Sequence, residues 1–188
     1  MVLNNIQAIL EELQELISLV PEKETEAFKD AVLKADRIFV AGAGRSLLMV
    51  RGFAMRLMQT GFSSYVVGET VTPAIKKGDL LVIASGSGET GTLKVIAGNA
   101  KKAGADIALI TSNPESTIAK LSDFIITIES ATPKLKENKE KILSIQPGAS
   151  SFEQSVLLLC DAVVIDLGME SSIAERNSSL MKLHANLE

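Results

Sequence analysis

The chain contains no tryptophan, one tyrosine and six phenylalanines in 188 residues. Aromatic rings therefore cannot fill its interior, which must be built from Ala, Val, Ile and Leu. That composition suits helices packed on a parallel sheet covered on both faces. The single cysteine, Cys160, excludes an internal disulfide; within "VLLLCDAVVI" it reads as a small buried hydrophobe. With one histidine and one cysteine, no cluster has metal-ligand spacing, and neither a metal nor another cofactor is expected. There is no excess of positive charge. The net charge of −4 disfavours nucleic acid, whose phosphate backbone needs a concentrated basic face. No apolar run reaches the roughly 18 residues of a membrane span. The first twenty residues, "MVLNNIQAILEELQELISLV", include acidic residues and lack the basic start of a signal peptide, so a cytoplasmic protein is expected.

Apolar residues at Leu3, Ile6, Ile9, Leu10, Leu13, Leu16 and Ile17 follow a helical period. Pro21 breaks it, and a second helix is predicted from about Glu22 to Leu33. The chain then alternates. "RIFVAG", "SSYVVG", "DLLVIAS", "DIALITS" and "DFIITIE" read as five strands. Helices are predicted over "SLLMVRGFAMRLMQTG", from Thr90 to Ala103, in a short stretch after Pro114, and over "FEQSVLLLCDAVVIDL". A poorly patterned link follows the second strand, and a polar stretch runs from Ser130 to Ala149. Strands that are apolar throughout, separated by helices, imply right-handed crossovers. The expectation is one α/β domain over residues 1–188: a doubly wound, flavodoxin-like, five-stranded parallel sheet with helices on both faces. Two N-terminal helices (1–34) precede it and a polar tail (169–188) follows.

In such folds ligands sit outside the carboxyl ends of the strands. Two strands here end in small-residue turns, "VAGAGRS" (Val40 to Ser46) and "ASGSGET" (Ala84 to Thr90). Glycines let backbone approach a ligand, and the next helix start offers unpaired N–H groups. Ser85, Ser87 and Thr90 add hydroxyls. The combination fits a small anion, most simply a phosphate; the plainer reading is a tight connection with Ser87 as helix cap. A dinucleotide fingerprint needs a third glycine where Leu47 stands, and a P-loop needs a lysine where Thr92 stands.

"ASGSGET" after a strand resembles the phosphosugar loop of the sugar isomerase (SIS) family, and "AGAGRS" resembles that family's other sugar-contacting turn. With "SIQPGASSFEQ" and the final "HANLE", the resemblance narrows to the 6-phospho-3-hexuloisomerases. It covers essentially the whole chain. One position pair departs from the pattern: Gly148 and Ala149 stand where family members usually show Met-Gly. The resemblance implies isomerisation of D-arabino-hex-3-ulose 6-phosphate to fructose 6-phosphate through an enediol, within the ribulose monophosphate route of formaldehyde fixation. It also implies a homotetramer with active sites at subunit boundaries. Another sugar-phosphate isomerase, such as one acting on arabinose 5-phosphate, and a non-catalytic phosphosugar sensor are the alternatives. The residues before the first strand show no basic recognition helix of the kind that sensors with DNA-binding modules carry.

An enediol step needs a base that moves a proton between neighbouring carbons. The resemblance places that base at Glu153. The spacing alone favours a capping box, in which Glu153 bonds back to the Ser150 amide. The resemblance also gives His184, the only histidine, a role in opening the sugar ring, often across a subunit boundary. Gly44, Arg45, Ser46, Ser85, Gly86, Ser87, Gly88 and Thr90 are the expected substrate-binding set. Arg45 sits within the first turn, whereas Arg51 is expected on the following helix as a surface charge. Glu89 would repel a phosphate and is expected to point away from it.

Overall fold

The computed structural model describes residues 1–130, 144–168, 178, 180–184 and 186. The charged run "KLKENKEK" (134–141) and most of the tail from 169 lie outside the described residues.

Two helices open the chain, α1 (Val2–Ser18) and α2 (Glu22–Lys34). Pro21, with its φ preset near the helical value, stands immediately before α2 and separates the two. Five strands follow: β1 (Ile38–Gly42), β2 (Ser64–Val66), β3 (Leu80–Ala84), β4 (Asp106–Thr111) and β5 (Phe124–Thr127). All neighbouring pairs are parallel, in the order β2-β1-β3-β4-β5. That is the flavodoxin-like doubly wound order expected from the alternation of apolar runs and helices.

Three further helices pack on the sheet, α3 (Arg45–Gln59), α4 (Gly91–Lys102) and α5 (Ser150–Leu167). The strands are apolar throughout because each face of the sheet has its own cover. Ile38, Val40, Leu80, Val82, Ala108, Ile110 and Ile126 face a core built with α2, α3 and α5. Phe39, Ala41, Leu81, Ile83, Ile107 and Leu109 face a smaller one built with α4. The short helix expected after Pro114 is a single 3-10 turn at Ala119–Leu121. Serines and a threonine crowd the residues before it, and their side chains compete for backbone bonds that a helix would use. The link after β2 forms no helix and is tied down by Arg37, which donates to Asp79 and to the Ala74 carbonyl. Cys160 is buried in the larger core, where loss of hydration pushes its thiol pKa above the ordinary range. Among the described residues no helix is long and apolar enough to cross a membrane.

Candidate active site

The sheet order reverses between β1 and β3: the chain leaves β1 towards β2 on one side and leaves β3 towards β4 on the other. Crevices form at such a point, outside the carboxyl ends of the strands. Gly42 and Ala84 are register partners, so the two glycine-rich turns start side by side. Gly42 packs so closely on the start of α3 that a β-carbon there would lie 2.8 Å from the Leu47 nitrogen. Gly44, with φ +58°, turns the chain into α3 through a conformation that L side chains rarely adopt.

The second turn is tighter. Gly88 has φ +61°, and a β-carbon on it would fall 2.0 Å from Ser116 Oγ. Its N–H folds back to the Ser85 carbonyl at 3.0 Å and to Ser85 Oγ at 3.2 Å. Ser87 Oγ accepts the Glu89 N–H at 3.3 Å. Thr90 is the cap residue of α4 but makes no side-chain cap bond, and Ser87 is not the cap. The Ser85 and Ser87 hydroxyls thus act as acceptors within the turn, and each keeps a proton to donate.

Between the turns lies a cavity of about 250 Å³. Ser46, Ser85, Gly86, Ser87, Thr90 and Glu153 line it, so most of the expected residues meet in one place. Glu153 arrives from about 65 residues further along the chain, on the first turn of α5. Phe152, wholly buried in the larger core and also lining the cavity, anchors that turn. Phe152, Ala149, Leu93, Ala84 and Ala43 complete the wall; none of them is in the expected set, because nothing local distinguishes a wall residue from an ordinary core residue.

The capping box does not form. The Ser150 N–H and hydroxyl both go to the Pro147 carbonyl, at 3.3 and 2.8 Å, and α5 has no side-chain cap. Glu153 is paired instead with Arg45, whose Nε lies 2.7 Å from Oε2. The N–H is not aligned on that oxygen, which is shielded from solvent and holds no hydrogen bond. A largely buried carboxylate beside a guanidinium, spent on no cap, can accept and return a proton.

Arg51 lies on α3 and pairs with Glu69. Glu89 points away from the cavity: Thr117 donates to it from its N–H at 2.6 Å and its hydroxyl at 2.9 Å. Those two bonds hold the Glu89 carboxyl below the usual carboxylate range. His184 is exposed in the described part of the tail and does not line this cavity. Among the described residues no group of His, Cys, Asp and Glu is placed to hold a metal.

Residues 31–159 match the SIS domain family. A 3-hexulose-6-phosphate isomerase of Bacillus subtilis is 43% identical over 97% of this chain and 97% of its own. Another of that name, from Mycobacterium gastri, is 39% identical over 98% of this chain and 90% of its own. Among solved structures, a Methanococcus jannaschii protein with an inferred molecular function of 3-hexulose-6-phosphate isomerase superposes with a TM-score of 0.82 at 30% identity. The match covers 98% of this chain and 99% of that one. With a switch-point cavity lined by its hydroxyl-rich turn and a relationship that runs nearly end to end, the chain belongs to the SIS domain family.

Proposed function

We propose that this protein isomerises D-arabino-hex-3-ulose 6-phosphate to fructose 6-phosphate. The observation that carries the reading is the convergence of Ser85, Ser87 and Thr90 with Glu153 on one small cavity. Its support from relatives is the shared name of the Bacillus subtilis and Mycobacterium gastri proteins.

The phosphate is held by the three hydroxyls and by turn amides at the start of α4, where the helix dipole favours an anion. Gly44 and Gly88 shape the two turns, and Gly86 and Ser46 give the sugar close approach. Glu153 removes the proton on carbon 2, and the carbon–hydrogen electrons form the carbon 2–carbon 3 double bond as charge moves to the carbon 3 oxygen. That oxygen gains a proton, the carbon 2 hydroxyl loses one, and Glu153 returns its proton to carbon 3. Arg45, beside the carboxylate, balances the charge that develops on the enediolate.

The substrate carries its phosphate on oxygen 6, the oxygen that would close a five-membered ring on carbon 3, so it reaches the site open-chain. Fructose 6-phosphate closes through oxygen 5 and must be opened in the reverse direction. We assign that assistance to His184 of a neighbouring subunit in a homotetramer. The reading puts the protein in the cytoplasm, on the ribulose monophosphate route, after a hexulose-phosphate synthase.

The test is a coupled assay for fructose 6-phosphate with the synthase supplying substrate. Product formed in proportion to added protein is the expected result. No turnover by folded protein would reject the proposal.

A further inference from the structure

The second glycine-rich turn is held from behind by residues outside the cavity. Gly86 O accepts the Ser112 N–H at 3.0 Å and the Thr111 hydroxyl at 3.2 Å. Ser87 O accepts Asn113 Nδ2 at 3.2 Å, and Gly88 O accepts the Ile118 N–H at 3.3 Å. Three successive carbonyls are therefore drawn towards the segment after β4. In a trans peptide the N–H points opposite to the carbonyl of the same plane. The N–H groups of Ser87, Gly88 and Glu89 are thereby turned to the other side. Those of Gly88 and Glu89 are consumed within the turn, by Ser85 and by Ser87 Oγ. The Ser87 N–H donates to no group among the described residues, and Ser87 lines the cavity.

Two side chains in this support are specific choices. Thr111 is wholly buried at the end of β4. Its Oγ1 accepts the Asn113 N–H at 3.0 Å while donating to Gly86 O, so it links the two segments as a relay. Valine would fill the same volume and suit the strand equally well, so packing does not require a hydroxyl here. Asn113 uses its side-chain amide across the gap and its own N–H on Thr111.

We infer that Thr111 and Asn113 are positioning residues that aim the Ser87 N–H at the substrate's phosphate. The inference rests on the sugar-phosphate reading of this cavity. Neither side chain touches substrate. Thr111 fixes the Gly86–Ser87 peptide plane, whose opposite edge does, and Asn113 holds the adjoining plane by the Ser87 carbonyl, so the amide is oriented before the anion arrives.

The experiment measures inorganic phosphate binding by isothermal titration calorimetry, with the KM and kcat of the isomerase reaction alongside. Thr111→Val should weaken phosphate binding about 3- to 10-fold, the size expected from one misdirected hydrogen bond. KM should rise by a similar factor while kcat changes less, because a ground-state contact is lost. Thr111→Ser restores the hydroxyl and should restore affinity. Asn113→Ala, which frees the adjoining plane, should weaken binding in the same direction but less, and decides the matter if Thr111→Val does not fold. Lower thermal stability with unchanged phosphate affinity in both folded variants would overturn the inference, as would a loss that Thr111→Ser fails to repair. If the unmodified protein binds neither phosphate nor fructose 6-phosphate, the underlying reading of the cavity falls, and this inference with it.

Discussion

Arg45 Nε lies 2.7 Å from Glu153 Oε2, joining the first residue of α3 to the first turn of α5. The pair is unequal: the Arg45 side chain is 56% exposed and that of Glu153 12%. The guanidinium therefore closes over the carboxylate from the solvent side. Glu153 borders the cavity, and its hydrogen-bonding capacity is not spent on its own helix.

Glu153→Gln should lower turnover by roughly 10²–10⁴ with little change in KM. It should also abolish exchange of the carbon 2 proton with deuterated water. Because the Ser150 N–H is already satisfied by Pro147, thermal stability should hold. A variant that keeps turnover within a few-fold would remove Glu153 from the chemistry.

Arg45→Ala should reduce kcat by about 10- to 100-fold, since it removes the positive charge beside Glu153, the proposed base. Arg45→Lys should recover only part, because a point charge does not reproduce the planar donor fork. Steady-state kinetics on both variants checks this. Full recovery with lysine would show that charge alone matters.

Ser87→Ala and Thr90→Ala should each weaken phosphate binding by roughly 0.5–1.5 kcal/mol, measured as the inhibition constant of inorganic phosphate. Gly88→Ala should behave differently. Its β-carbon would meet Ser116 Oγ at 2.0 Å, in a backbone conformation that disfavours L side chains. Thermal melting should show a loss of roughly 1–3 kcal/mol or more before any binding is measured.

Stability should respond to acid through Glu89. Its pKa is lowered by the Thr117 N–H and hydroxyl, with a further contribution from Lys94. A depressed carboxyl stabilises the fold above the unfolded carboxylate value, about 4.3, and that contribution fades as pH falls through the lower folded value. The melting-temperature gap between the unmodified protein and Glu89→Gln should be widest near neutrality and close in acid. A gap independent of pH would contradict this.

Light scattering should give a mass near four times 20.0 kDa. Val2, Leu3, Ile6 and Leu10 of α1 are 48–77% exposed, an apolar face that a single chain leaves uncovered. A stable 20.0 kDa particle at micromolar concentration would contradict the tetramer and remove the neighbouring subunit assigned to His184. With the tetramer in place, His184→Ala should slow the reverse reaction, which starts from a closed ring, more than the forward one.

The five strands, their parallel direction and both glycine-rich turns are legible in the chain because they rest on local signals. Uniformly apolar runs between helical patterns specify a sheet covered on both faces. Gly44 and Gly88 stand where the backbone takes positive φ, a demand made within a few residues. Glu89 is legible by elementary electrostatics, since a carboxylate does not face an anion. Whether Glu153 caps its own helix was not decidable locally, because Ser150 and Glu153 carry the spacing of a capping box. Tertiary structure decided it: the QPG turn presents the Pro147 carbonyl to the Ser150 N–H, and packing of α5 on α3 brings Glu153 to Arg45. The support of the second turn by Thr111 and Asn113 is equally invisible in sequence, where "ITSN" is only the end of a strand. A hydrogen-bonding side chain takes whichever partner the fold brings within about 3 Å, and over spans of 25 residues or more only the closed sheet determines which partner that is.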